Sequence, residues 1–260
     1  MKLQNKVAIV TGAAGGIGGA IARRFVDEGA TLAAVDKEDC AGLVEAMTRA
    51  GGAARLFQAD LSEVSECRRV VDVVAQAFGT VNILVNCAGL FQGASIENVS
   101  EENWEQHLAV VARAPLFLSQ AVVPHMKRAG GGRIINVTSV CAHFGVPGTV
   151  SYSAAKGALL AMTKAMMTDL APFGINVNAI SPGNTRTPIN EQLRDQPGYV
   201  EKWDELSPSG LGFQEPEALC GAAVFLASDD GATVHGEQIV VDCGVSAGFS
   251  QSAISLERRA

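Results

Sequence analysis

Short apolar runs rich in Val, Ile and Ala alternate with segments of helical periodicity along almost the whole chain. The first run covers residues 6–11 and leads into a helical pattern from Gly16. Strand residues alternate between two faces, whereas helix residues three and four apart share one, so the two patterns separate cleanly. A second strand is predicted over 31–36 and a helix over 41–50. Further strands are predicted over 54–58, 82–86, 133–138, 175–180 and 238–241, and further helices over 63–78, 101–128, 152–173 and 216–227. Seven strands joined through helices require right-handed crossovers, which predicts an α/β fold with a doubly wound parallel sheet covered on both faces. No repeat, linker or shift in composition divides residues 1–260, so one domain is expected. The irregular segment 184–214 carries Pro188, Pro197 and Pro208. A stretch of that length in a compact fold is expected to be a substrate lid, with a short helix near 189–194.

Hydrophobic residues make up 48% of the chain and aromatic ones 5%, so aliphatic side chains must fill the core, as suits this architecture. The net charge of −7 and the lack of a basic run argue against a nucleic-acid or anionic-membrane surface and favour a small-molecule partner. No apolar stretch is read as long enough to cross a bilayer, and Met1 and Lys2 lead into a strand rather than a signal peptide; a cytoplasmic protein is expected. Six cysteines without a Cys-x-x-Cys pair are expected to be reduced and mostly buried, with no metal site.

Directly after the first strand stands Thr11-Gly12-Ala13-Ala14-Gly15-Gly16-Ile17-Gly18, a turn that opens a helix. Backbone amides and the helix dipole can hold a pyrophosphate there, and glycines let the phosphates come close. Glycines at 12, 16 and 18 depart from the G-x-G-x-x-G spacing, and turns use glycine in any protein, so the cluster alone is weak evidence. Asp36 strengthens it. It ends the second strand eighteen residues after Gly18, where a carboxylate accepts hydrogen bonds from both adenosine ribose hydroxyls and repels a 2′-phosphate. NAD is expected over NADP, although Lys37 beside it leans the other way and an acidic helix start is a competing role for Asp36. Asp60 and Leu61 at the third strand end, and Asn86-Cys87-Ala88-Gly89 at the fourth, fall on the same carboxyl edge, where open α/β sheets bind ligands.

Tyr152 and Lys156, four residues apart at the start of a helical pattern, project from one face. A free tyrosine has a pKa of about 10, but a neighbouring ammonium and an oxidised nicotinamide both favour the phenolate, so Tyr152 is a candidate general acid/base. Ser139, at the end of the fifth strand, is placed to hydrogen-bond a substrate oxygen as charge develops. A Tyr/Lys pair at this spacing also occurs on ordinary exposed helices.

With these residues in view, the chain resembles the short-chain dehydrogenase/reductase family from Lys6 to Gly244. The resemblance rests on TGxxxGIG at 11–18, NxAG at 86–89, Ser139 thirteen residues before the YxxxK pair, and Ser181-Pro182-Gly183 followed by Thr187. It implies a Rossmann-type fold and an NAD-dependent alcohol dehydrogenase or ketone reductase, assembled as a homotetramer. It implies Ser139, Tyr152 and Lys156 as catalytic residues, with Lys156 also on the nicotinamide ribose. Gly12, Gly16, Ile17, Gly18, Asp36, Asp60, Leu61, Asn86, Ala88 and Gly89 are then expected to bind the cofactor, with Pro182, Gly183, Thr185 and Thr187 beside the nicotinamide. One departure is chemical: seven residues beyond Trp104, where the family usually has a catalytic asparagine, stands Val111. Either the proton leaves by another path, or Arg113 or a backbone carbonyl takes over the relay, or the enzyme is slow. A smaller departure is Cys243 in place of a glycine before Gly244.

Substrate contacts are harder to read. Cys141 and His143 lie where the resemblance puts the substrate pocket, with an exposed loop histidine as the other reading of His143; Arg186 in the lid is a candidate for a substrate carboxylate, although an outward-facing arginine is the commoner case. Phe91, Cys141, Phe144, Val146, Ile189 and Trp203 are the expected apolar walls. His107, His125 and His235 are read as structural or exposed, and the tail through Glu257-Arg258-Arg259 as fraying. The opposing functional class is a catalytically silent nucleotide-binding protein on the same fold, for which Val111 is the sole support.

Overall fold

The computed structural model describes residues 1–248 and 250 of the chain. The C-terminal Glu257-Arg258-Arg259 expected to fray lies outside the described residues.

Seven parallel strands form one sheet in the order β3-β2-β1-β4-β5-β6-β7. They are β1 (Val7–Thr11), β2 (Thr31–Asp36), β3 (Ala53–Gln58), β4 (Ile83–Asn86), β5 (Gly132–Val137), β6 (Ile175–Pro182) and β7 (Gln238–Val241). Every residue of β1, β4 and β6 is buried, because helices cover both faces of the sheet. Alternation along β1 sends Ala8 and Val10 into one core layer with Ile21, Phe25 and Val224, and Val7 and Ile9 into the other with Val70, Val74 and Val122. The first layer is closed by α1 (Gly16–Asp27), α2 (Ala41–Arg49) and α9 (Cys220–Ala227). The second is closed by α3 (Val64–Phe78), α5 (Ala114–Arg128) and the end of α6 (Val150–Leu170).

The helix expected over 101–128 is continuous but not uniform. After α4 (Glu101–His107) it widens into a π-helical segment, Leu108–Arg113, before α5. Pro115 explains the change of register, since it has no N–H for the carbonyl of Val111 four residues back. Contrary to the sequence reading, Glu101–Arg128 is long and apolar enough to pass a bilayer-span test, with a mean hydropathy of 1.3. Its apolar positions Leu118, Val122 and Met126 are fully used inside the second core layer. The lid segment is more ordered than expected: α7 (Glu191–Arg194) is followed by α8 (Tyr199–Leu206), which the proline-rich pattern had hidden. Cys243 has a φ of 57°, which accounts for the glycine that the family resemblance leads one to expect there.

A polar chain crosses the otherwise apolar second layer. Asn86 Nδ2 donates to Asn136 Oδ1 at 2.8 Å, Asn136 Nδ2 to Thr163 Oγ1 at 2.9 Å, and Thr163 Oγ1 to the Leu159 carbonyl at 2.9 Å. It ties β4, β5 and α6 together behind the carboxyl edge. Asn136 is fully buried, so its replacement by alanine strands two polar groups away from water. Asn136→Ala is expected to lower stability by about 3 kcal/mol in urea unfolding with little change in the slope.

Candidate active site

The sheet order reverses direction at β1, whose neighbours β2 and β4 are reached by crossovers on opposite faces. The loops after these strands therefore part and leave a crevice at the carboxyl ends. Here it is a cleft of about 720 Å³. Thr11 holds its floor together: the hydroxyl accepts the N–H groups of Cys87 and Ala88 at 2.9 and 3.0 Å and donates to the Val85 carbonyl.

The glycine turn fits a dinucleotide for reasons visible in its contacts. Gly12 has φ +68°, and a β-carbon there would stand 2.9 Å from Cα of Ala88. A β-carbon on Gly18 would come within 2.1 Å of the Gly12 carbonyl oxygen, so α1 can start this close to the turn only with glycine. A β-carbon on Gly16 would fill space 2.7 Å from the Thr187 methyl, across the cleft. Gly15 caps α1 without a side-chain acceptor, and no acidic residue occupies the first turn. The amides that open α1 thus face the cleft with a positive dipole, a site for a pyrophosphate. Asp36 Oδ2 accepts the Ala14 N–H at 2.9 Å and Oδ1 accepts the Glu38 N–H at 3.0 Å, which fixes the carboxylate at the cleft's rim. Asp60 is held below the usual carboxylate range chiefly by the Ser62 backbone N–H, 2.9 Å from its Oδ1.

Every residue assigned to the cofactor from the sequence lines this cleft except Asn86. Its side chain turns inward to Asn136 and Ser119, so it braces β4 instead of meeting a ligand. Ser139, Tyr152, Lys156 and Cys141 also line the cleft. Ser139 follows β5 and its Oγ accepts the Cys141 N–H at 3.1 Å, which leaves the hydroxyl proton to be donated elsewhere. Tyr152 is clasped edge-on by Phe91, with ring centroids 5.3 Å apart, and by His107 at 6.2 Å. His107 is itself fully buried, accepts the Gln92 N–H and meets the Asn103 carbonyl at 2.7 Å, a structural role.

Lys156 is 4% exposed. Its Nζ donates to the Val137 carbonyl at 2.7 Å and lies 5.6 Å from the Tyr152 ring centroid. Burial lowers its pKa to about 8. Burial likewise pushes Tyr152 above its ordinary value, against the pull of a hydrogen bond with Ser139. The phenolate was expected to be favoured by the ammonium and an oxidised nicotinamide together; without the nicotinamide desolvation dominates, and both groups lean toward their neutral forms.

Three readings left open by the sequence are narrowed. Val111 is 1% exposed and is not part of the cleft lining, and Arg113 cannot stand in for an asparagine there because it faces outward to the Ser62 carbonyl, 2.9 Å away. His143 is exposed, 3.3 Å from Gln238, and outside the lining. Arg186 is also outside it, paired with Glu215 at 3.3 Å and placed over the Phe213 ring. All six apolar walls expected from the sequence do line the cleft. Leu193 and Tyr199 join them from α7 and α8. The four-residue spacing of Tyr199 and Trp203 was the available signal for that second lid helix.

The family model described as enoyl-(acyl carrier protein) reductase, of the short-chain dehydrogenase type, matches residues 12–246. The chain is 36% identical over 245 residues to a D-threitol dehydrogenase of Mycolicibacterium smegmatis, covering 94% of each protein. It is 34% identical over 249 residues to a cyclopentanol dehydrogenase of Comamonas sp., covering 95% of this chain and 99% of the relative. A gluconate 5-dehydrogenase from Burkholderia cenocepacia, solved with NADP and tartrate, superposes with a TM-score of 0.91 at 32% identity, over 95% of this chain and 98% of that one. The chain belongs to the short-chain dehydrogenase/reductase family. It is an oxidoreductase of the type that acts on CH–OH groups with a nicotinamide cofactor.

The buried ammonium makes stability depend on pH in a defined direction. Lys156 sheds its proton near pH 8 when folded and near 10.5 when unfolded, so between these values the unfolded chain binds more protons and stability rises with pH. Below pH 8 the charge costs on the order of 3 kcal/mol. Lys156→Met without cofactor is expected to exceed the unmodified protein in stability at pH 7, with the gap closing by pH 10, as read from urea midpoints at the two values.

Proposed function

We propose that the protein is an NAD-dependent dehydrogenase that interconverts a secondary alcohol and its ketone. The observation that carries the reading is the meeting of the Ser139 and Tyr152 hydroxyls on one wall of the cleft, with the Lys156 ammonium buried beside the phenol. A bound nicotinamide supplies the hydride acceptor or donor. Tyr152 takes the proton from the carbinol oxygen, or returns it to the ketone. Ser139 turns its hydroxyl proton to the same oxygen, stabilising the charge that grows on it. Lys156 supplies positive charge beside the phenolate, and a cationic ring entering the cleft adds to it, opposing the desolvation that keeps Tyr152 protonated in the bare protein.

NAD is favoured over NADP by Asp36, whose carboxylate is held at the cleft's rim by two backbone amides and carries charge of the wrong sign for a 2′-phosphate. Lys37, the basic residue nearby, has a 68% exposed side chain beside Glu38. The NADP in the gluconate 5-dehydrogenase structure belongs to that protein. A second reading, a silent cofactor-binding protein, is favoured by Val111, which has no hydrogen-bonding side chain to offer a proton relay.

Purified protein is expected to form NADH from NAD⁺ and secondary alcohols, with kcat/KM for NAD⁺ at least about 100-fold above that for NADP⁺. Asp36→Ala is expected to lower the NAD⁺ value by about 10-fold or more and narrow that gap. Equal use of NADP⁺ overturns the cofactor assignment, and tight NAD⁺ binding without turnover in either direction favours the silent reading.

A further inference from the structure

The cleft must also decide which alcohol enters, and its lining divides by chemistry. Only Asp36, Lys37, Glu38, Asp60 and Lys156 bring charge to it among the described residues. The first four belong to the ends of β2 and β3, where the adenosine half of a dinucleotide lies, and Lys156 is committed to the Val137 carbonyl. The space beyond Tyr152 is walled by Phe91, Cys141, Phe144, Val146, Leu193 and Trp203. Burial holds the Cys141 thiol above its ordinary value and therefore neutral.

Cations near this end are turned to other work. Arg186 is held by Glu215 and Phe213, and Arg194 donates to Asn190 Oδ1 at 3.0 Å and to the Thr187 carbonyl at 3.1 Å. Polar walls are similarly engaged. Thr149 Oγ1 bonds the Val146 carbonyl and Ser153 at 2.7 and 2.8 Å. Asn190 meets the Thr185 carbonyl, the Thr187 N–H and Arg194, and Gln106 bonds Glu102 at 3.0 Å. The Asn184 amide and the Tyr199 phenol also line the cleft, besides Ser139 and Tyr152.

A ligand in such a space finds partners for its carbinol and little else. A carboxylate would be stripped of water with no cation to receive it, and each extra hydroxyl would lose its water partners without replacement. We infer that the substrate is an uncharged, largely apolar secondary alcohol or its ketone, and that polyols and hydroxy acids are rejected. This rests on the dehydrogenase reading for the chemistry but on the walls alone for the selectivity.

Binding can be followed without turnover. The chain has two tryptophans, and Trp104→Phe leaves Trp203, in the cleft wall, as the sole reporter. With NAD⁺ bound, cyclohexanol is expected to change Trp203 emission saturably, with threitol and gluconate binding at least about 100-fold more weakly. The kcat/KM values of the same three compounds, measured on the unmodified chain, are expected to follow that order. Threitol or gluconate binding as well as cyclohexanol, or a failure of cyclohexanol to bind, overturns the inference. Saturable cyclohexanol binding with no hydride transfer supports the selectivity and counts against the dehydrogenase reading alone.

Discussion

The arrangement depends on one close approach: the start of α1 lies against the turn after β1, with the Gly12 carbonyl 2.1 Å from where a β-carbon of Gly18 would stand. Because β2 and β4 flank β1 and are reached across opposite faces, the chain must turn sharply here and leave a gap. Glycine lets the helix begin inside that gap, so its open amides become the cleft's floor. A larger residue would push α1 outward and break its packing through Ile21 and Phe25. Fold and cofactor cradle are thus one constraint.

From that floor the rest of the edge is built by strand ends. Thr11 stitches β1 to the Cys87-Ala88 turn, and the Asn86–Asn136–Thr163 chain stitches β4 and β5 to α6. Since α6 also carries Tyr152 and Lys156, the polar bracing inside the core fixes where the reacting side chains stand. The β5 carbonyl of Val137 receives the Lys156 ammonium, and Ser139 emerges two residues later. Burial then sets a cost: both groups are disfavoured in their charged forms, and a cationic ring in the cleft would offset that cost for the Tyr152 phenolate. That cost is a reason for cofactor to bind before the proton moves.

Much of this was legible in the order of residues. Continuous apolar runs mark strands buried on both faces, and the carboxyl ends of those strands carry Asp36, Ala88 and Ser139. Side-chain direction was not legible. Asn86 shares its motif with Ala88 and Gly89 but turns into the core, and Arg186 sits amid nicotinamide-segment residues yet pairs outward with Glu215. Helix α8 escaped because prolines on either side, Pro197 and Pro208, read as irregular chain. The span-like hydropathy of Glu101–Arg128 is masked in the sequence for the opposite reason: charged residues flank the apolar positions that the core layer uses.

The central claim is direct hydride transfer at the wall where Ser139 and Tyr152 meet. Its most direct measurement follows the atom itself: the protein is mixed with NAD⁺ and cyclohexanol carrying deuterium on the carbinol carbon, and the reduced cofactor is examined by mass spectrometry and proton NMR. The account predicts one deuterium per NADH, on a single face of the nicotinamide ring, in step with cyclohexanone formation, and no labelled product with Tyr152→Phe. Unlabelled NADH, or label transfer undiminished in that variant, would contradict it.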